Sequence, residues 1–289
     1  MGENAMGSPS FGTVIPVLAL NLGFPGNVSR VGERVIHARQ VSPTTANPIK
    51  FGEGAVIIPD STGGTVQSLA DFINGGGNFN GSNFAGIAVR NVKTNLNYST
   101  LGNTAASPYI GSFAQSQLAG ILERGSIPVT INNGTPVSQS PVFVRIALNG
   151  GIPAGIVGGF EAIADGTIAA GLAGTGNGTA TGLVIGAGAE NEAYTVTFTS
   201  ATAYKVTDAN GNVIGYGRIV ATAGKTSYFA SKYVSFLLTQ GSIVFDNTSV
   251  FTLTVSALLT VGLPDVVFTT GVMDGNNTAE ITLKNRVAA

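Results

Sequence analysis

The sequence predicts an all-β protein with two short helices: a jelly-roll-like β-sandwich or barrel domain that carries an inserted small β-sandwich domain. Three observations predict it. Short apolar or alternating runs recur between Gly, Pro and Asn turns along almost the whole chain. Only two segments carry helical spacing. At about residue 166 the texture changes, and beyond "VSALLTVG" it returns to the style of the first half.

In order, the predicted strands of the larger domain are Val14–Leu20, Arg34–Arg39, Ala55–Ile58, Phe84–Val92, Ile127–Ile131, Val142–Leu148 and Ile156–Ile163. "SPVFVRIAL" alternates well, with Val142, Val144 and Ile146 on one face and Phe143, Arg145 and Ala147 on the other. Pro128, Pro136 and Pro141 flank these runs, as strand edges allow. The first helix is expected in "TVQSLADFINGGG", where Val66, Leu69, Phe72 and Ile73 share a face, Thr65 is placed to cap the start and Gly75 to stop it. The second is expected in "GSFAQSQLAGILERG", from Ser112 to Gly125, with Ala114, Leu118, Ile121 and Leu122 at helical spacing.

"DGTIAAGLAGTGNGTATG" (165–182) is almost entirely Gly, Ala, Thr and Asn, and reads as a linker or flexible edge. A compact run of strands follows: "YTVTFT", "YKVT", "VIGY", "YVSFLL" and "VFTLTV". The simplest organisation is a main domain of residues 1–165, an inserted module of 166–256, and closing strands of the main domain at 257–289, since exposed loops tolerate insertions. Inside the module, "VTDANGNVIGYG" resembles a calcium loop at first sight. Counted from Asp208, however, the sixth position is Val213 and the twelfth Ile219, where an EF-hand needs Gly and a bidentate acid. Asn210-Gly211 between alternating strands predicts a hairpin turn instead.

The composition excludes several classes of function. Only 10% of the 289 residues are charged, against roughly 25% in ordinary soluble proteins. The net charge is −1, with no run of Lys or Arg to neutralise phosphates, so no nucleic-acid partner is expected. There is no Cys, hence no disulfide or thiolate metal site. The start "MGENAMGSPSFG" lacks the features of a secretory signal, and the apolar stretches 15–24 and 255–268 are too short and broken to span a bilayer, so no membrane is expected. Low charge suits a protein whose surface is covered by neighbouring subunits.

No catalytic constellation is visible, and no motif calls for a cofactor or metal. His37 is the single histidine and has no recognisable motif around it. Glu53, Asp60, Asp71, Glu123, Glu161 and Asp165 are scattered without paired spacing. "GIVGGF" lacks the order and context of a dinucleotide fingerprint. Tyr194, Phe198, Tyr204 and Tyr216 read as core at strand spacing, with a sugar-binding platform as the alternative.

Two stretches carry a resemblance. "LERGSIPVTINNGTPVSQSPVFVRIALNGGIPAGIVGGFEA" (122–162), with the closing "FTTGVMDGNNTAEITLKNR" (268–286), resembles the structural cement, or head-decoration, proteins of tailed bacteriophages. "NLGFPGNVSRVGERVI" and "NFAGIAVRNVKTNLNYS" fit the first half of that pattern. "GNGTATGLVIGAGAENEAYTVTFTSATAYKVTDANGNVIGYG" (176–217), followed by "FDNTSVFTLTV", resembles a β module common in such proteins, although the usual Gly-Asp is missing from the last run. The resemblance implies a non-enzymatic capsid protein on the outer surface of the virion. Its implied partners are the major capsid protein and further copies of itself, as a dimer or trimer. A host-surface glycan is the alternative partner, presented to the inserted module. The expected contact residues are Leu118, Ile121, Glu123 and Arg124 on the second predicted helix and Phe11 in the N-terminal arm. Gly-rich arms such as 1–12 and 74–83 are expected to order on contact with a neighbour.

Overall fold

The computed structural model describes residues 24–28, 33–59, 64–90, 111–271 and 273–284. They form nineteen strands and one helix. The first group is β1 (Val35–Gln40), β2 (Ile49–Lys50), β3 (Gly54–Ile58), β4 (Thr65–Ser68), α1 (Leu69–Asn74), β5 (Phe84–Ala88), β6 (Ser112–Phe113), β7 (Leu118–Asn133), β8 (Pro141–Arg145) and β9 (Phe160–Glu161). Next come β10 (Thr167–Ala173), β11 (Thr179–Ile185), β12 (Ala193–Ser200), β13 (Ala203–Thr207), β14 (Val213–Arg218), β15 (Thr226–Ala230), β16 (Val234–Thr239) and β17 (Val250–Ser256). β18 (Thr260–Phe268) and β19 (Thr278–Leu283) close the set.

The long strand β7 organises the first part. Its C-terminal half pairs with β19 on one side and, in parallel, with β9 on the other. The pairings β9–β8, β8–β18 and β18–β19 close a five-stranded ring. Ile127, Val129, Ile131, Val144, Phe268 and Ile281 belong to the core of this ring. The ring contains one parallel pairing, so the expected barrel is present with a strand order that is not the antiparallel order of a jelly roll. The N-terminal half of β7 lies between β1 and β5. That sheet continues through β3 to β4, and a bridge from Val41 to Val66 brings it round on itself. Val41, Ala55, Val66, Ala119 and Ile121 form its separate core.

This pairing replaces the second expected helix. Ala119 and Ile121 face one core and Leu122 the other, while Leu118 is 67% exposed, so the apolar residues that match helical spacing are divided among three environments. A strand buried on both faces reads as a near-continuous apolar run, which periodicity alone does not separate from a helix. Gly125, the expected stop, has φ +128 and lies where β7 passes from one ring to the other. The first helix is present but short. Thr65–Ser68 is strand, Ser68 caps the helix by accepting from the Asp71 amide at 3.1 Å, and Gly75 ends it as expected. The segment 74–83 is not a free arm, because Phe79 is buried in the larger core. Of the predicted strands, Val14–Leu20 lies outside the described residues. Ile156–Ile163 is strand only at Phe160–Glu161, because 146–159 forms a succession of turns.

Residues 167–256 form a second sandwich. One sheet runs β10-β17-β12-β13-β14 and the other β11-β16-β15. Tyr194, Val196, Phe198, Tyr204, Phe229, Phe236, Phe251 and Leu253 fill the space between them. The Gly/Ala/Thr stretch expected to be a linker supplies two of these strands. On β10 the larger residues Ile168 and Leu172 pack inward and small ones face out, which suffices for an outer strand.

Arg145 joins the two parts. It is fully buried, donates through Nε and Nη2 to the Glu161 carboxylate, and donates through Nη1 to Asp165 at 2.7 Å and to the Ala147 carbonyl at 3.2 Å. Burial alone would lower its pKa, but the hydrogen bonds to Glu161 and Asp165 prevail and raise it. The Asp165 amide donates to Thr260 Oγ1 at 2.8 Å and its carbonyl accepts from Leu259 at 2.8 Å. The chain is thus pinned to itself where it leaves the ring and where it returns. Gly155 faces the guanidinium so closely that a Cβ there would lie 2.3 Å from Nε. Gly155→Ala is therefore expected to cost about 2 kcal/mol or more, by overpacking and by displacing a buried ion pair. A thermal or urea melt indistinguishable from wild type would contradict this placement.

Asp71 ties the loop before β2 to α1. Its carboxylate accepts from Thr45 Oγ1, the Asn47 amide and Asn47 Nδ2, each at 2.7 Å. Burial pushes its pKa up, but the bonds from Asn47 and Thr45 prevail and hold it below the usual value. A depressed carboxylate contributes stability above its unfolded pKa of about 3.9 and loses it as pH falls through the folded value. Asp71→Asn is expected to be less stable than wild type by about 2 kcal/mol at pH 7. Denaturation midpoints measured across pH should show that gap closing below about pH 4.

Candidate functional site

The five expected contact residues separate into distinct settings. Leu118 opens β7 opposite Gln40 and is exposed. Ile121 is completely buried in the smaller core, where no partner can touch it. Glu123 is buried too, on the same strand face. One oxygen accepts from Arg39 Nε at 3.1 Å and Nη2 at 2.7 Å, and the other lies 2.8 Å from His37 Nδ1. Arg124 is half exposed and pairs with Glu33 at 2.6 Å. Phe11 lies outside the described residues.

The cluster of His37, Arg39 and Glu123 was not legible in the sequence. It arises because β1 runs antiparallel to β7, with His37 opposite Ile121 and Arg39 opposite Ala119. Among the described residues no group of three acidic or histidine side chains is placed to hold a metal ion. The cluster neutralises a buried carboxylate with a fixed cation, a structural duty that leaves Leu118 as the accessible apolar residue on β7. Ile36, Ala38, Gln40, Leu118 and Gly120 share the outer side of the same strand pair, an uncharged strip with Ile36 at 38% exposure.

The second sandwich presents a face poor in charge. On the outside of its five-stranded sheet, Thr195 lies between Thr252 and Thr207, and Thr197 between Val250 and Lys205. Thr254, Ala169, Gly171 and Ala173 extend it toward β10. Lys205 and Arg218 are the only charged strand residues on this face. Threonine suits such a position, since its branched side chain fits the pleat and its hydroxyl remains available to water or a partner.

The "VTDANGNVIGYG" segment is a hairpin turn between β13 and β14. Gly211 donates to the Asp208 carbonyl at 3.1 Å with φ +82, a type I turn closed by a glycine bulge. The Asp208 carboxylate accepts from the amides of Asn210 and Asn212 at 2.9 and 2.8 Å and from Asn212 Nδ2 at 2.9 Å. The Asn212 side-chain bond leads in holding its pKa down. This carboxylate is occupied by the turn itself.

The tyrosines divide. Tyr194 and Tyr204 are core, and Tyr233 is half-buried beside Tyr194 with Lys232 over its ring. Tyr216 is 76% exposed, against the expectation that it is core. The cause is a register shift between Val206 and Thr207, which puts Gly215 and Gly217 against the core and turns Tyr216 out. Tyr228, on the other sheet, is 67% exposed.

The described residues thus form a mostly β chain with a closed ring and strand faces poor in charge. The family model of the XM1 gp53 minor capsid protein matches residues 12–187, more than half of the chain. The protein belongs to that family, and is a phage capsid-associated structural protein of the virion. The matched span holds β7, β8 and β9 of the ring, while β18 and β19, which complete it, lie beyond. No curated protein matches. Among solved structures, Xanthomonas campestris FlgL in two crystal forms aligns at 20% and 19% identity with TM-scores of 0.26 and 0.25. These alignments cover 34% and 35% of this chain and 31% and 33% of FlgL, about a third of the length of that protein.

The two settings on β7 are separable by mutation. Ile121→Ala is expected to cost about 2–5 kcal/mol of stability. Leu118→Ser should stay within about 0.5 kcal/mol of wild type. Chemical denaturation of both variants checks the assignment, and equal losses would contradict it.

Proposed function

We propose that this protein is a capsid decoration, or cement, protein. It binds the outer surface of the head as a dimer or trimer and stabilises contacts between major capsid protein subunits. The observation that carries this reading is membership of a minor capsid protein family in a chain whose strand faces carry few charges. Burying such faces incurs little desolvation of charge, so a modest contact repeated over many shell subunits accumulates strength by avidity. In this reading the uncharged strip of Ile36, Ala38, Leu118 and Gly120 meets the shell or a second copy, with Arg124 at its rim. Residues 166–256 form an inserted domain, displayed outward from the ring that its flanking strands complete.

A second reading concerns that domain alone. Exposed Tyr216, beside Lys205 on the outer face of the five-stranded sheet, favours recognition of a host-surface glycan, which is compatible with shell attachment through the rest of the chain.

Adding the purified protein to heads assembled without it tests the first reading. Saturable binding is expected, with a rise in the temperature at which the heads release DNA. Leu118→Asp should weaken binding about tenfold or more while the free protein melts normally. Heads that neither bind the protein nor gain resistance would overturn the proposal.

A further inference from the structure

The second sandwich is open along one side. β14 pairs only with β13 and β15 only with β16, so the two sheets end there in facing edge strands, joined by residues 219–225. A shallow cleft of about 370 Å³ lies where β14 ends and β15 begins. Its lining is chemically mixed. Arg218 supplies a guanidinium, Thr202 and Thr226 supply hydroxyls, and buried Ile219 an apolar contact, while the Ser227 hydroxyl turns inward to Tyr204 Oη at 3.5 Å. Arg218 is exposed and takes part in none of the ion pairs among the described residues. This contrasts with Arg39, Arg124 and Arg145, each of which has a carboxylate partner.

The surroundings narrow the ligand. Tyr216 stands two residues before Arg218 on the same strand face, about 7 Å away along the strand, with Lys205 directly across from it. Tyr228, on the other sheet, points outward on the opposite face of the sandwich and stands apart from this group. Both rings are largely bare. No carboxylate lines the cleft, so it has no ligands for a hard cation. Two cations are too few to follow a nucleic-acid backbone. An exposed guanidinium with no carboxylate partner among the described residues, beside the hydroxyls of Thr202 and Thr226 and with Tyr216 next along the same strand face, is a donor set for a pyranose that carries a carboxylate. The guanidinium takes the carboxylate, the hydroxyls exchange hydrogen bonds with those of the ring, and a tyrosine covers its apolar face.

We infer that this cleft is a binding site for an acidic sugar, of the uronate or sialate class, within a surface polysaccharide. The inference deepens the glycan reading of the second domain and is independent of shell attachment through the β1–β7 sheet.

The test is calorimetric titration of the full chain with a tetrasaccharide of alternating glucuronate and N-acetylglucosamine. A neutral chitotetraose and a tetraglutamate peptide serve as comparisons. The acidic sugar is expected to bind at least about tenfold more tightly than either, and more weakly as salt is raised. Arg218→Ala should lose about tenfold or more in affinity and Tyr216→Ala several-fold, without change in melting temperature or in attachment to heads. Lys232→Ala, at a site outside the cleft, should bind as wild type does. Equal affinity for chitotetraose, equal or tighter binding of tetraglutamate, binding that ignores Arg218→Ala, or no heat of binding at millimolar sugar would each overturn the assignment. Loss of head attachment in Arg218→Ala would also overturn it, since the cleft would then be a shell contact.

Discussion

The buried guanidinium of Arg145 is the constraint on which the rest of the structure depends. It lies on β8, holds Glu161 of β9 by two bonds, and reaches Asp165 at the point where the chain leaves the ring. Without these partners a fully buried arginine would carry an untenable desolvation penalty, and without the arginine two carboxylates would face each other in a nearly dry interior. Asp165 meets Thr260 and Leu259 through its backbone, so one cation fixes both crossings between ring and second sandwich. The loop 146–159 wraps the guanidinium, and Gly155 leaves the room it occupies. A chain with so few charges has concentrated three of them at the joint that sets how its two parts are connected.

The same restraint shows on the outside. A surface built from threonine, alanine, glycine and asparagine relies on hydroxyls, amides and backbone for its water contacts. It can therefore be covered without stranding charge in an interface. The ring is closed in the chain by β18 and β19, which follow the second sandwich in sequence, so the ring cannot be completed before that module has been made. This order of synthesis favours a module that acquires its own core first, and its aromatic centre is separate from those of the other sheets.

Much of this was legible in the sequence where one physical signal acted alone. Strand spacing placed Tyr194, Phe198 and Tyr204 in a core, and Asp208 to Asn212 gave their turn through local chemistry. Prediction failed where tertiary pairing determined the outcome. Residues 118–124 carry helical spacing, yet pairing with β1 and β5 and the burial of Ile121 and Leu122 in separate cores make them strand. Tyr216 faces out because of a bulge that no residue type announces. Of the expected contact residues, Leu118 and Arg124 are available at the surface, whereas Ile121 and Glu123 are committed inside. The partners of Arg145 and Glu123 come from distant strands, and spacing along the chain does not encode them.

In this reading the β1–β7 sheet beside the ring holds the shell while the second sandwich stands away from it. A cryo-electron map of the assembled head tests this most directly. The account predicts density for this chain on the outer face of the shell, with the β1–β7 strip against capsid subunits and residues 167–256 projecting into solvent. Density on the inner face, or contact made by the second sandwich with the β1–β7 strip exposed, would contradict it.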